Sequence, residues 1–399
     1  MNDADGIIKL VEYETRYLAL SDFSDEDAKH IFSQFGNKVI VDWPTPKTAG
    51  RWQLTSQGWV GFVPLAEKRG ISLQPKVPLK NLFQMLEYAY DLRSFKLLEG
   101  LYDCESIRDF YDRLANILSK RLLKRAREGL YKIYQEEREN IGFVRGRMDM
   151  SIFAKTPVKT LIPCIYEEHA IDNTDNQIVA WTLHTILRSG ICSGRSIPEL
   201  RKAEAVLRNS VSLKPFWGND CIGRNYNRLN EDYEVMHKLC RFFLENTGPT
   251  QNIGNRSMIP FLVYMPRLFE LFVAQWLKQN LNARYVLKSQ ESLHIGEKDS
   301  MKMVMDLVLY NLDTSKPICV LDTKYKAHNT VLPDDYSKVV AYGDAIGCDE
   351  TVLIYPKPLE FPFNEKPGKV RVKTVVFDIG GELEENGNKM LTQLALTIP

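Results

Sequence analysis

The sequence predicts an α+β chain of more than one domain: a β-rich N-terminal part, a helical middle region and a C-terminal α/β part with a mixed sheet. Three observations predict it. Strand-like patterning fills residues 1–80, helical periodicity dominates from Leu79 to about Gly248, and residues 266–356 run helix, three strands, helix, strand. At 399 residues the chain exceeds a usual single domain, and 44% hydrophobic with 26% charged residues is enough for real cores. The expected domains are 1–80, 81–250 and 251–399.

In the first of these, GIIKLVEYETRYLAL (6–20) alternates in part, and SDEDAKHIFSQF (24–35) reads as a short helix capped by Ser24 or Asp25. RWQLTSQGWVGFVPLA (51–66) carries two strand-like pieces around Ser56-Gln57-Gly58, and ISLQPKVP (71–78) adds another. Loops on such a sheet suit partner docking better than chemistry. Helices follow at 79–98, 105–131, 175–190, 198–209 and 230–246, with a less regular stretch between 132 and 174. Asn173-Thr174-Asp175-Asn176 reads as a helix cap, PFWGNDCIGRNYNRLN (215–230) as a polar, aromatic loop, and TGPTQNIGNRSMIP (247–260) as a linker.

The helix PRLFELFVAQWLKQNL (266–281) starts near Pro266 and carries an apolar stripe of Phe269, Phe272, Val273 and Trp276. RYVLKSQ (284–290), VMDLVLY (304–310) and ICVLDTKYK (318–326) read as strands, PDDYSKVVAYGDAIG (333–347) as a helix ending near Gly347, and ETVLIYP (350–356) as a buried strand. VRVKTVVFDI (370–379) and MLTQLALTI (390–398) read as late strands.

Chemistry concentrates in the hairpin joined by NLDTSKP (311–317). A turn centred on Thr314 sets residues whose numbers sum to 628 opposite each other, which pairs Asp306 with Asp322. Lys324 lies on the same face as Asp322, two residues on. Directly opposed residues have Cβ atoms roughly 4.5–5.5 Å apart, where two carboxylates repel unless a cation lies between them. A divalent metal resolves that conflict, and carboxylate ligation suits Mg²⁺, with Mn²⁺ as a substitute. Glu270, beside Val273, Ala274 and Leu277, is a candidate third acid; the alternative is a first-turn glutamate favoured by the helix dipole.

This order of elements and acids resembles the PD-(D/E)XK nuclease core, with Met305 where the motif carries proline. LQPKVPLKNLFQMLEYAYDL (73–92), GLYKIYQEERENIGFVRGRMDM (129–150) and the series from PRLFELF to DTKYK to VVAYGDA resemble the McrC family, nuclease subunits of McrBC-type modification-dependent restriction systems. The blocks keep the family's order and cover most of residues 60–356. The resemblance implies a Mg²⁺-dependent endonuclease acting on double-stranded DNA with modified cytosine. Asp306 and Asp322 would hold the metal, Glu270 complete its shell and Lys324 position the attacking water. It also implies a McrB-like AAA+ GTPase ring, stimulated by this chain's N-terminal part, and a second copy for a double-strand break. The family often places a glutamine near the tyrosine of the following helix. Here the residues are Asp335-Tyr336-Ser337-Lys338, and whether Lys338 takes that role stays open.

The net charge of +1 decides little, but its distribution is uneven. From Lys120 to Arg147 nine basic residues stand against four acidic ones, much of them on an amphipathic helix. Lys120, Lys124, Arg127, Arg145 and Arg147, with Lys338, are candidate DNA contacts; a solvated basic face is the alternative. Arg145-Gly146-Arg147 reads either as a phosphate or partner contact or as a structural pair bridging to acids such as Asp149. Seven scattered cysteines without Cys-x-x-Cys favour reduced thiols in a cytoplasm, and six dispersed histidines form no evident metal cluster. No apolar run is long enough to span a membrane, and the acidic start MNDADGIIKL does not resemble a secretory signal. The absence of G-x-x-x-x-G-K-[ST] assigns any nucleotide-driven motor to another chain. Two rival functions remain: an adaptor that keeps the nuclease fold as a scaffold, and an autonomous DNA-repair nuclease.

Overall fold

The chain folds into strands β1 (Ile7–Val11) and β2 (Thr15–Leu18), helix α1 (Asp25–Phe35), and strands β3 (Val39–Asp42), β4 (Trp52–Ser56), β5 (Trp59–Pro64) and β6 (Gly70–Gln74). Next come α2 (Leu79–Ala89), α3 (Ile107–Glu128), β7 (Ile133–Ile141), β8 (Arg147–Met148), α4 (Met150–Phe153), β9 (Ile162–Ala170), α5 (Thr174–Ser189), α6 (Ile197–Arg208) and α7 (Glu231–Asn246). The last third holds β10 (Gln251–Ile253), β11 (Arg256–Met258), β12 (Phe261–Tyr264), α8 (Met265–Asn280), β13 (Tyr285–Ile295), β14 (Met301–Asn311) and β15 (Pro317–Thr323). It ends with α9 (Pro333–Ile346), β16 (Glu350–Tyr355), β17 (Asn364–Glu365), β18 (Arg371–Val376) and α10 (Leu383–Gln393). This is a computed structural model, and it describes residues 7–65, 69–92, 106–154, 160–189, 192, 194–247, 251–253, 256–258, 261–295, 301–325 and 330–394. Two compact units result, residues 1–110 with 248–399 and residues 111–247.

In the first unit, β4 buries Trp52, Leu54 and Ser56 and turns Gln53 and Thr55 outward, the period-two pattern of a one-sided strand. Ser24 caps α1 in a capping box with Asp27, as the sequence indicates. The sheets run β2-β4-β3 and β1-β6-β5-β12. The last strand of the second sheet pairs Phe261 with Phe62 and Tyr264 with Trp59, antiparallel. β12, set in a separate domain by the sequence reading, therefore shares a sheet with the N-terminal strands. Part of the expected 247–260 linker is the small antiparallel pair β10-β11. The Ser56-Gln57-Gly58 segment, expected as an exposed loop, is tied into the unit: Ser56 is buried with its hydroxyl donating to Val11 O, and Gly58 O accepts from Met265 N at 2.9 Å.

The C-terminal sheet has the order β13-β14-β15-β16-β18-β17 and is mixed, as expected. β13, β14 and β15 are antiparallel, whereas β15, β16 and β18 run parallel. A parallel neighbour needs a crossover, and α9 supplies the one between β15 and β16 before ending at Gly347 with φ 75°. Residues 390–393, expected in a strand, belong to α10; the rest of that expected strand beyond Leu394 lies outside the described residues. Leu383, Asn386, Gly387, Met390 and Leu391 are buried at helical spacing, and Gly387 explains the close approach to α8. A Cβ there would lie 2.1 Å from Trp276 Cζ2, in the middle of a fully buried indole. Gly387→Ala should destabilise the chain by about 1–3 kcal/mol through overpacking, read as a lowered denaturant midpoint.

The second unit is not purely helical. Within the irregular stretch it forms the antiparallel sheet β7-β9-β8. β7 carries six charged or amide side chains in IYQEERENI and is mostly exposed, so no alternation announces it. The expected cap of α5 is present, with Asn173 Oδ1 accepting from Asn176 N at 3.2 Å. Six cysteines among the described residues are buried free thiols. No described helix is long and apolar enough to cross a membrane.

Candidate active site

β14 and β15 pair Leu307 with Leu321, Val308 with Val320 and Leu309 with Cys319, the register expected from the hairpin. Continuing it by one residue sets Asp306 against Asp322. The bulge between Leu309 and Tyr310 alters pairing only nearer the turn. β15 is a central strand, so Asp322 is completely buried, and Lys324 just beyond its end is 8% exposed.

Lysines hold these acids. Lys324 Nζ is ion-paired with Asp322 and stands 3.6 Å from Asp335 Oδ1 on α9. Lys338, one turn further along α9, brings Nζ to 3.3 Å from Asp322 Oδ1 and lies over the Tyr342 ring, 5.3 Å from its centroid. Burial works against its charge, yet Asp322, Tyr342 and Asp306 together hold its ammonium above the ordinary lysine range. Asp306 accepts from Thr323 N at 3.2 Å and Thr323 Oγ1 at 3.3 Å. Its carboxyl is pushed up to about 6, by burial first and then by the charges of Asp322 and Glu270.

Glu270 lies in the second turn of α8, mostly covered, and receives hydrogen bonds from Arg267 and Gln290. Gln290 has φ 54°, rare for a non-glycine residue, and interrupts the β13–β14 ladder between the pairs Ser289–Leu307 and Glu291–Met305. That is the position facing Asp306. Gln290 and Asp335 are the residues sequence reading missed here. A lone glutamine in a polar strand offers no signal, and Asp335 read as a first-turn helix acid.

Among the described residues no three His, Cys, Asp or Glu side chains form a ready-made metal cage. The donor set nevertheless suits a hard divalent cation. Asp306, Asp322 and Glu270 offer only carboxylate oxygens, and both Asp322 oxygens are buried without a hydrogen bond, each beside a lysine ammonium. Burial first, and then the neighbouring charges of Asp322 and Glu270, raise the Asp306 carboxyl. A folded-state pKa above the unfolded one means that stability falls as pH rises from about 4 to about 6. Asp306→Asn should therefore stabilise the metal-free protein at pH 8 by about 2–3 kcal/mol, with the gain shrinking below pH 6. Chemical denaturation at the two pH values reads it, and a pH-independent difference would refute the cause given.

Of the basic candidates, Lys338 stands at Asp322 and the other five belong to the second unit. Lys120, Lys124 and Arg127 are exposed on α3 in the second unit. Arg145 stacks over Tyr166 at 4.0 Å and pairs with Glu168 rather than Asp149, which caps α4. Gly146 has φ 67°, and a Cβ there would meet Ile165 O at 2.5 Å, so only glycine fits between the two arginines.

A family model described as McrBC 5-methylcytosine restriction system component matches residues 54–356. The type IV methyl-directed restriction enzyme EcoKMcrBC of Escherichia coli (strain K12) is 23% identical over 270 residues, 63% of this chain and 74% of that protein. Among solved structures, the half-complex from a tetradecameric assembly of Thermococcus gammatolerans McrB AAA+ hexamers with bound McrC is similar, with TM-score 0.56 and 18% identity. That match covers 97% of this chain and 100% of the matched one.

Proposed function

This chain belongs to the family of McrBC 5-methylcytosine restriction system components, and from that premise we propose that it is a Mg²⁺-dependent endonuclease subunit cutting DNA with modified cytosine. The sequence α8, antiparallel β13-β14-β15, α9, parallel β16 supports a PD-(D/E)XK core. One observation carries the reading. A fully buried Asp322, paired with lysines from two elements and close enough to Asp306 to raise its pKa, is poor structure and good phosphodiester chemistry.

Asp306, Asp322 and Glu270 would hold the ion, which when bound supplies positive charge to a phosphate oxygen and acidity to a water. Lys324, steadied between Asp322 and Asp335, orients the attacking water and offsets charge growing on the phosphate. Lys338 is 43% exposed beside the same acid and suits a contact to the DNA backbone. Lys120, Lys124, Arg127, Arg145 and Arg147 are further proposed phosphate contacts.

The partner follows from the solved relative, which holds McrB AAA+ hexamers with bound McrC. For this chain we propose a McrB-like AAA+ GTPase ring whose hydrolysis it stimulates, and two copies for a double-strand break. Exposed Tyr17, Leu20, Phe32 and Ile40 support docking through residues 1–80. The second unit exposes another apolar group, with Phe143, Val144, Met150 and Leu161 among its members. The test is cleavage of modified and unmodified DNA with and without ring, GTP and Mg²⁺. Cutting is expected only with all three and modified DNA; cutting by the isolated chain would indicate an autonomous nuclease instead.

A further inference from the structure

Lys324 lies one residue past the last ladder pair of β15, Thr323 with Ile354, and its own main chain is held by one further bond, from its N–H to Ile354 O at 2.8 Å. The ion pairs hold the ammonium, but a strand end so lightly tied leaves the backbone beneath it free to shift. The next residue is anchored far more firmly. Tyr325 Oη donates at 2.7 Å to Glu12 Oε1, and the Tyr325 ring contacts Phe269 of α8 and Tyr13, with centroids 5.9 and 6.5 Å away. Tyr13 Oη also donates to the Tyr325 carbonyl at 3.5 Å. Glu12, just past β1, is completely buried and takes a second hydrogen bond from Lys76 N at 2.8 Å.

Burying a carboxyl at the end of a structural sheet is costly, and its Oε2 has no hydrogen bond at all. Purely structural packing would be served better by an apolar side chain. One planar peptide joins Lys324 to Tyr325, so anchoring the ring and carbonyl of Tyr325 limits how far the Lys324 backbone can turn.

We infer that Glu12 and Tyr325 are positioning residues for Lys324: their buried hydrogen bond ties the strand end to the N-terminal sheet and keeps the ammonium on Asp322. This rests on the reading of Lys324 as a site residue. Small displacements of a reacting group are expensive. Loss of the anchor should lower the cleavage rate constant at saturating DNA roughly 10- to 100-fold while leaving the DNA concentration for half-saturation unchanged.

The experiment is single-turnover cleavage by the full chain assembled with its AAA+ ring, comparing Tyr325→Phe, Glu12→Ala, Glu12→Gln and the Glu12→Ala/Tyr325→Phe double variant. Tyr325→Phe keeps the ring packing and removes only the donor, so it decides the matter even if Glu12→Ala folds poorly. Glu12→Gln keeps an acceptor for both donors. The adjoining cavity of about 230 Å³, lined in part by Glu12, Lys76 and Tyr325, has room for its amide, so this variant should stay near wild type. The double variant should lose no more than the worse single one. A wild-type rate per folded molecule for Tyr325→Phe, or additive losses, would overturn the anchor. Lys324→Ala, run in parallel, separates the two ideas. If it is inactive while Tyr325→Phe is not, only the anchor fails; if Lys324→Ala cuts normally, both fail.

Discussion

Asp322→Asn should leave the assembled complex unable to cut modified DNA, with a loss of at least roughly 10²–10³-fold expected from removing a carboxylate that would hold the ion against the reacting phosphate. The substitution is nearly isosteric. It also removes the negative charge that Lys324 and Lys338 neutralise, so two ammonium groups then face each other across a neutral amide. Some stability is lost with the activity, and the two must be measured apart. Thermal melting gives the folded fraction, and Mg²⁺ titration gives the second readout. The wild-type melting temperature should rise with Mg²⁺ because an ion that binds only the folded state stabilises it, whereas Asp322→Asn should show little rise. Lys324→Ala should lose cleavage to a similar degree yet keep a Mg²⁺-dependent rise. Normal cutting by well-folded Asp322→Asn would remove that residue from the site.

Leu20→Asp combined with Phe32→Asp should lower stimulation of the partner's GTPase by at least about tenfold, since a buried charge in place of an apolar contact costs well over 1.4 kcal/mol. Both side chains are exposed at 64%, so the free protein should fold as before and keep its Mg²⁺-induced rise in melting temperature. Asp322→Ala should do the converse: GTP turnover unchanged, cleavage lost. The Ser56-Gln57-Gly58 segment is the wrong place for this test. A side chain on Gly58 would lie 2.2 Å from Tyr13 Oη, and its rewriting would disturb the junction that leads into α8. If the Leu20/Phe32 variant stimulates normally while Phe143→Asp with Val144→Asp does not, the docking surface lies on the second unit.

Much of this protein is written in local pattern. The stripe of α8, the Ser24 and Asn173 caps, the stop at Gly347 and the pairing of Asp306 with Asp322 depend on neighbours within a turn or a hairpin, and residue order alone determines them. Family membership likewise rests on blocks legible in the chain. Tertiary structure decided the rest. β7 is polar on both faces, and the expected strand over 390–398 carries apolar residues that fit either period, so only what packs against each segment selects its conformation. The pairing of β12 with β5, the second lysine on Asp322 and the bond from Tyr325 to Glu12 join residues 199 to 205, 16 and 313 positions apart. Contacts set by chain folding rather than by local periodicity leave no spacing to read. The acids are thus visible in sequence, while the groups that hold them in place appear only once the sheets have formed.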